Sequence, residues 1–292
     1  MTDIVNAGDG RRLAVRITGH PDGSPVFLLH GTPGSRLGPQ PRGMVLYRLG
    51  IRLISFDRPG YGRSDRLPGR RVADVANDVT AIADAYGVER FAVVGRSGGG
   101  PHALACAALL PHRVTRAAVL VGLAPPTADG LDWLAGMTGS NIVAYTAGAA
   151  GEYALAARLL PDAQALRSDP AKLLAQLRTE LPEPDRQVMT DPGIRARLVA
   201  SHAEALRASA DGWVDDVLAF LARWGFSLDS VTIPVLVWHG DRDVFSPVSH
   251  SVWLATRMNS CTVIVQAGAA HFAAISVLPD VLGWLVSGRL PY

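Results

Sequence analysis

The sequence predicts an α/β fold built on a mostly parallel sheet, and three observations support this prediction. Short apolar runs rich in β-branched residues alternate with segments of helical periodicity along much of the 292-residue chain. Several runs are apolar throughout, which is typical of strands buried on both faces of a parallel sheet. Polar and glycine-rich loops follow these runs. Together these features indicate one sheet with helices packed on both faces.

The N-terminal part of the chain supplies the first predicted elements in order. Residues 13–17 have the alternating pattern of an edge strand. Residues 26–29 and 51–56 are apolar runs and predict two buried strands. Apolar side chains at helical spacing then predict a helix over 72–86, and a further buried strand begins at Phe91.

The end of that strand carries the sequence Gly95-Arg96-Ser97-Gly98-Gly99, and a helix-like segment follows it. A turn this tight between a strand and a helix forces its central residue into a strained conformation and requires small neighbours. A bare Gly-x-Ser-x-Gly pattern arises by chance about 0.1–0.2 times in a chain with this much glycine, so its position after a strand is what favours a nucleophilic serine.

The same glycines also match a dinucleotide-binding pattern, Gly98-x-Gly100-x-x-Ala103. That pattern needs an acidic residue about 20 positions later, at the end of the next strand, to bind the ribose. The next apolar run, over 117–123, ends without an acidic residue. We therefore favour the nucleophile over the nucleotide-binding loop.

The alternation stops after this run and resumes more than a hundred residues later. Two apolar stripes at helical spacing occur in between, formed by Leu173, Leu174, Leu177 and Leu181 and by Val214, Val217, Leu218 and Leu221. Residues 124–229 are too many for a connecting loop. We predict that they form a helical lid (cap) subdomain inserted into a core made of 1–123 and 230–292.

The C-terminal part returns to the earlier pattern. Apolar runs over 235–240 and 262–265 are each followed by a helical periodicity. Asp243 follows the first run and His271 follows the second. Because the C-terminal ends of parallel strands converge on one crevice, we expect both side chains to lie near Ser97.

The chain resembles the α/β-hydrolase superfamily over nearly its whole length. The motifs that carry the resemblance are His30-Gly31, the stretch 57–65, Gly95-x-Ser97-x-Gly99, Gly240-x-x-Asp243 and Gly268-x-x-His271. The resemblance implies an α/β-hydrolase fold with Ser97 as nucleophile, Asp243 as acid and His271 as base. It also implies an oxyanion hole made by the backbone N–H groups of Thr32 and Gly98.

These residue types suit acyl transfer on chemical grounds. A neutral serine hydroxyl is a weak nucleophile and needs a base, for which histidine is suited, and a carboxylate fixes the histidine tautomer. His271 is favoured among eight histidines by its position and by the chain order Ser–Asp–His. Asp241 remains a second candidate for the acid, whereas the Gly-x-x-Asp spacing favours Asp243.

Neighbouring loops give two further expectations. Asp57 and Asp65 are expected to brace their loop by pairing with Arg58 and Arg63, in a structural role. The hydroxyl of Thr32 either adds a third contact to the oxyanion hole or simply packs the loop. The pairs Arg11-Arg12 and Arg70-Arg71 are interpreted as solvated loop charges.

The sequence thus predicts a serine hydrolase that cleaves an ester, lactone or thioester of small or medium, largely apolar character. Its serine argues against the haloalkane-dehalogenase and epoxide-hydrolase branches, which use aspartate. The alternatives are a cofactor-free haloperoxidase or perhydrolase, and a non-catalytic small-molecule-binding protein on the same fold. No cofactor is required by this chemistry, and neither cysteine nor histidine spacing predicts a metal site.

Composition and charge limit the classes of binding partner that we expect for this protein. A formal net charge of +2 and the lack of a basic, aromatic-rich run argue against nucleic acid. No apolar run is long enough to span a membrane, and no signal-peptide pattern is evident. We therefore predict a cytoplasmic enzyme acting on a small molecule, and the sequence does not indicate its oligomeric state.

Overall fold

The computed structural model describes residues 2–169 and 179–290 and centres on an eight-stranded sheet. The strands are β1 (Asp3–Asn6), β2 (Arg12–Gly19), β3 (Ser24–Leu29), β4 (Ile51–Phe56), β5 (Phe91–Arg96), β6 (Val114–Leu120), β7 (Val235–Gly240) and β8 (Cys261–Gln266). Their order is β1-β2-β4-β3-β5-β6-β7-β8. The first two pairings, β1 with β2 and β2 with β4, are antiparallel and the others are parallel. The predicted mostly parallel sheet is thereby confirmed.

Helices cover both faces of this sheet. The described α-helices are α1 (Gly43–Arg48), α2 (Val75–Ala85), α3 (Gly99–Leu109), α4 (Gly139–Ala149), α5 (Glu152–Ser168), α6 (Glu183–Val188), α7 (Pro192–Ala205), α8 (Asp211–Leu221), α9 (Val248–Ala255) and α10 (Ala273–Ser287). Within the described ranges, none of these helices combines the length and apolar character needed to cross a membrane.

Alternate side chains of the central strands belong to two separate hydrophobic cores, one on each face of the sheet, because successive residues of a strand point to opposite faces. Phe27 and Leu29 of β3 pack with side chains of α2, α3 and α9. Val26 and Leu28 of the same strand pack on the other face with α1 and α10. The sheet is therefore buried on both sides, as its continuous apolar strands require.

The prediction of an edge strand over 13–17 is wrong. The corresponding strand β2 lies between β1 and β4, and its residues Leu13, Ala14 and Val15 are fully buried. The edge is occupied instead by β1, which sequence analysis did not identify. Only Val5 is buried among its four residues, so β1 carries almost no apolar pattern.

Between β6 and β7 the described residues form helices α4 to α8 and contain no strand. Helix α4 packs against α5 and α8, and side chains of all three, including Tyr145, Leu155 and Val217, join the core beneath them. The predicted apolar stripe of Leu173, Leu174 and Leu177 lies outside the described residues.

Candidate active site

Ser97 occupies the turn between β5 and α3. Its backbone φ of 55° is unusual for a residue with a side chain and marks local strain. Small neighbours make the turn possible, because a Cβ on Gly95 would overlap the carbonyl of Gly99, and one on Gly99 would overlap the carbonyl of Leu29. The turn holds the Ser97 side chain at the wall of a cavity.

Asp243 and His271 form a buried pair beyond the ends of β7 and β8. His271 Nδ1 lies 2.8 Å from Asp243 Oδ2, and both residues are about 5% exposed. The other carboxylate oxygen accepts the backbone N–H groups of Phe245 at 2.8 Å and Ser246 at 3.1 Å. Since a carboxylate only accepts, the pair places a proton on Nδ1 and leaves Nε2 as the basic nitrogen.

His239 is a neighbour of this pair that sequence analysis did not single out. Its Nε2 lies 3.2 Å from Asp243 Oδ2 and donates to the carbonyl of Ser246 at 2.6 Å, while Ser251 Oγ lies 2.6 Å from Nδ1. Burial alone would raise the pKa of Asp243, but His271 and His239 hold that pKa well below its usual range. The available signal was the position of His239 at the end of an apolar strand.

Asp241, the second candidate for the acid, lies elsewhere. Its carboxylate accepts the backbone N–H of Gly268 at 2.8 Å, in an exposed turn between the loops that follow β7 and β8. The contact links two loops and does not reach His271. Of the two aspartates, the structure brings only Asp243 to the histidine.

Thr32 and Gly98 adjoin one another in the cavity wall. A Cβ on Gly98 would overlap the Thr32 hydroxyl, and both residues line the cavity. That hydroxyl donates to Asp216 Oδ2 at 2.5 Å and accepts from Arg58 at 3.1 Å. Its single proton is thus committed, so the idea of a third oxyanion contact from Thr32 is wrong and only its backbone N–H is available.

Beneath Thr32 lies a fully buried ionic cluster centred on Asp216 of α8. Arg58 Nη2 lies 2.5 Å, Arg70 Nη2 2.7 Å and the Tyr61 hydroxyl 2.8 Å from its carboxylate oxygens. Burial would raise the pKa of Asp216, but the two guanidinium groups hold it well below the usual range. The interpretation of Arg70 as a solvated loop charge is therefore wrong.

The prediction that Asp57 and Asp65 pair with Arg58 and Arg63 is also wrong, because both carboxylates pair with other arginines. Asp57 is fully buried and forms an ion pair with Arg36. From Arg63 it accepts only the backbone N–H, at 3.1 Å, and it also accepts the backbone N–H of Arg36 at 2.7 Å. Asp65 pairs with Arg12 at 3.0 Å. Both carboxylates do brace the loop, through arginines from strand β2 and from the loop after β3.

The cavity has a volume of about 340 Å³ and opens between the sheet and the inserted helices. Ser97, His271, Thr32 and Gly98 share its wall with apolar side chains and four charged ones. The apolar members include Leu123, Tyr145, Trp213, Val217, Phe220 and Phe245, and the charged members are Arg96, Arg158, Asp162 and Glu180.

Among the described residues no hydrogen bond joins the Ser97 hydroxyl to His271, and such bonds are often long before substrate binds.

The described residues include no group of three or more His, Cys, Asp or Glu side chains placed to hold a metal ion.

Comparison with known proteins identifies the family. A family model described as "alpha/beta hydrolase fold" matches residues 24–276. The chain belongs to this family.

Individual relatives in this family are similar over shorter stretches or at lower identity. Epoxide hydrolase B of Mycobacterium tuberculosis is 35% identical over 124 residues, covering 41% of this chain and 34% of that protein. Non-heme chloroperoxidase of Streptomyces lividans is 36% identical over 124 residues, covering 42% and 45%. This chain thus matches less than half the length of either relative. The solved structure of the esterase RhEst1 from Rhodococcus sp. ECU1013 is 24% identical, with a TM-score of 0.66 over 97% of this chain and 99% of that one.

Proposed function

We propose that this protein is a serine hydrolase that cleaves an ester-like bond through an acyl-enzyme on Ser97. The observation that carries the proposal is that a strained Ser97 and the His271 of a buried His–Asp pair open onto one cavity. A nucleophile, a base and a carboxylate that orients the base are the parts that acyl transfer requires. Membership of a hydrolase family supports the same chemistry.

In the proposed first half-reaction, Ser97 Oγ attacks the substrate carbonyl carbon and His271 Nε2 takes the hydroxyl proton. Asp243 holds the His271 Nδ1–H and stabilises the imidazolium that forms. The developing oxyanion accepts the backbone N–H groups of Thr32 and Gly98, and each such donor contributes about 3–4 kcal/mol in the transition state. The ester C–O bond then breaks, and His271 gives its proton to the leaving alkoxide.

In the second half-reaction, water replaces the alcohol. His271 takes a proton from the water as its oxygen bonds to the acyl carbon, and the acid is released when His271 returns a proton to Ser97 Oγ. Atoms and charge therefore balance without any other reactant. The buried contacts of Asp216 support binding of the oxyanion indirectly, because they anchor the loop that presents the Thr32 N–H.

The proposed substrate is a small or medium ester, lactone or thioester with a largely apolar body. A cavity of about 340 Å³ lies at the small end of the range for ligand sites. Tyr145 and Trp213 of the helices between β6 and β7 line it, whereas Tyr153 is 89% exposed. We propose that residues 124–229 act as a lid over a core formed by 1–123 and 230–292.

A second candidate is a perhydrolase, in which hydrogen peroxide replaces water as the acyl acceptor. The similarity to Non-heme chloroperoxidase of Streptomyces lividans favours testing it. The similarity to Epoxide hydrolase B carries less weight for this site, because Ser97 stands where that branch of the superfamily uses aspartate. Adding peroxide to an acyl-donor assay distinguishes acid from peracid as the product.

The decisive experiment is labelling with a fluorophosphonate probe, followed by hydrolysis of 4-nitrophenyl esters of graded acyl length. We expect wild-type protein to be labelled and Ser97→Ala to be unlabelled and inactive. Ser140→Ala is the matched control, because Ser140 also lines the cavity but lies on α4, away from the strained turn. Labelling that persists in Ser97→Ala would contradict the proposal, and a wild type without labelling or turnover would favour the non-catalytic alternative.

A further inference from the structure

The residue directly before the nucleophile is a cation with no counter-ion. Arg96 ends β5, is partly buried and lines the cavity. Among residues 2–169 and 179–290, no ion pair and no hydrogen bond involves its guanidinium group. Other buried arginines of this protein are compensated, since Arg36 pairs with Asp57 and Arg58 with Asp216.

The charge of Arg96 is present at neutral pH and its burial is unfavourable. Burial lowers the pKa of Arg96 to about 10, and Asp185 opposes this effect at longer range. The neighbouring cavity residue His202 also responds to this charge, because burial and Arg96 together lower the pKa of His202 to about 4. A partly desolvated guanidinium without a carboxylate costs free energy that a bound anion would offset.

The other charged groups of the cavity wall do not supply that anion. Asp162 pairs with Arg158 at 2.8 Å on α5. Glu180 accepts the backbone N–H of Ser140 at 3.1 Å and the Ser140 hydroxyl at 2.6 Å. Both acidic side chains are thus engaged elsewhere, and the cavity keeps an uncompensated positive charge at its catalytic end.

Gly31 lies next to both the nucleophile and this charge. A Cβ on Gly31 would lie 3.3 Å from Ser97 Cβ and 3.7 Å from Arg96 Nη2. The nucleophile and the guanidinium therefore flank the same glycine, which directly precedes Thr32 of the candidate oxyanion hole. An acyl group held at Ser97 has Arg96 within reach of a substituent only a few bonds from its carbonyl.

We propose that Arg96 binds a carboxylate carried by the acyl part of the substrate, so that the substrate is a small ester or lactone with an anionic group near the scissile carbonyl. The inference rests on the proposed function and deepens it. The planar guanidinium fork matches a carboxylate with two parallel hydrogen bonds, and such charge-assisted bonds are the strong ones. The apolar side chains then contact the remainder of the substrate.

The test compares 4-nitrophenyl hydrogen glutarate with the neutral 4-nitrophenyl methyl glutarate, which has the same acyl chain. We expect wild-type kcat/KM to be about 10- to 100-fold higher for the anionic ester, as one charge-assisted contact allows. Arg96→Gln should lose this preference, and Arg96→Lys should keep part of it. Arg158→Gln removes one positive charge from the same cavity wall and should keep the preference, because Arg158 already has a carboxylate partner.

Two results overturn the inference: a wild type that does not prefer the anionic ester, or an Arg96→Gln variant that loses activity equally on both esters. If neither ester is cleaved and Ser97 is not labelled, the proposed function fails separately. Calorimetric titration of monomethyl glutarate into wild-type protein and Arg96→Gln then decides the matter without turnover. Binding weakened at least about tenfold in the variant supports the inference, and equal or undetectable binding refutes it.

Discussion

Two buried carboxylates each contact a residue of the cavity wall, and they differ in the kind of basic side chain that they face. Asp243 faces histidine, with His271 Nδ1 at 2.8 Å and His239 Nε2 at 3.2 Å. Asp216 faces arginine, with Arg58 and Arg70 at 2.5 and 2.7 Å. The pKa of each carboxyl is held well below its usual range against the effect of burial. Both therefore stay ionised, but only Asp243 is paired with imidazole groups, the kind of side chain that serves as a general base.

This difference separates two uses of the same side chain. A carboxylate beside a histidine that opens onto the cavity can stabilise a transient charge during proton transfer. A carboxylate between two permanently charged guanidinium groups cannot take part in proton transfer and instead fixes the loop that carries Thr32. We therefore expect substitutions at Asp243 to act on catalysis and substitutions at Asp216 to act on stability.

The largest expected effect is on kcat in Asp243→Asn. An asparagine keeps the shape of the carboxylate but favours the wrong tautomer of His271, which in a Ser–His–Asp triad lowers kcat by about 10⁴-fold. Steady-state hydrolysis of the best 4-nitrophenyl ester measures this effect. Unfolding in urea should show that the variant remains folded.

Asp241→Asn is the matched control for this variant, because the Asp241 carboxylate contacts Gly268 of the neighbouring loop and the adjacent Arg242, and not His271. We expect its kcat to stay within a few-fold of wild type. If Asp241→Asn were instead the inactive variant, the assignment of the acid to Asp243 would be lost. A large fall in the free energy of unfolding of Asp243→Asn would contradict the proposed difference between Asp243, expected to act on catalysis, and Asp216, expected to act on stability.

The next effect is a loss of stability in Asp216→Asn. Removing the carboxylate leaves Arg58 and Arg70 buried without a counter-ion, and breaking a buried pair in this way costs about 3–5 kcal/mol. The free energy of unfolding from urea titrations measures it. Asp215→Asn is the matched control on the same helix, since its partner Arg66 is 30% exposed and also contacts Glu152, and we expect about 1 kcal/mol. Equal losses in the two variants would contradict the role given to the buried cluster.

Elements with a strong local pattern could be predicted from the sequence alone. Strands β4 and β7 have the predicted bounds of 51–56 and 235–240, because each is an apolar run buried on both faces. The four-residue β1 could not be predicted, since pairing with β2 and not apolar patterning defines it. Candidates such as Ser97 and His271 were found because each follows a strand within a short motif.

Partners distant in sequence could not be predicted. Arg58 and Asp216 are 158 positions apart, and no local pattern links the loop after β4 to the middle of α8. The available signal was Asp216 itself, an acidic residue on an otherwise apolar helix face. The unpaired state of Arg96 was equally hidden, because it depends on what the inserted helices place across the cavity.

The smallest expected effect is on the pH dependence of stability, and it concerns His102, a histidine close to Asp216. His102 Nδ1 donates to the carbonyl of Gly98 at 2.8 Å, and its buried Nε2 lies 3.9 Å from Asp216 with no hydrogen-bond partner among the described residues. Burial and the charge of Arg58 lower the pKa of His102 to about 3. This histidine is therefore neutral in the folded protein at pH values where the unfolded chain has already bound a proton.

The sign of the pH dependence follows from that difference. Below the unfolded pKa of about 6.5 the unfolded state binds the extra proton, so lowering the pH towards 3 destabilises the fold by up to about 1.4 kcal/mol per pH unit for this one residue. In His102→Asn the free energy of unfolding in urea should fall less steeply between about pH 6.5 and 4 than in wild type. His112→Asn removes an exposed histidine and should change the slope far less. If His102→Asn kept the wild-type slope, burial beside Arg58 would not be holding this histidine neutral, and the contrast with the His271 side of the cavity would rest on geometry alone.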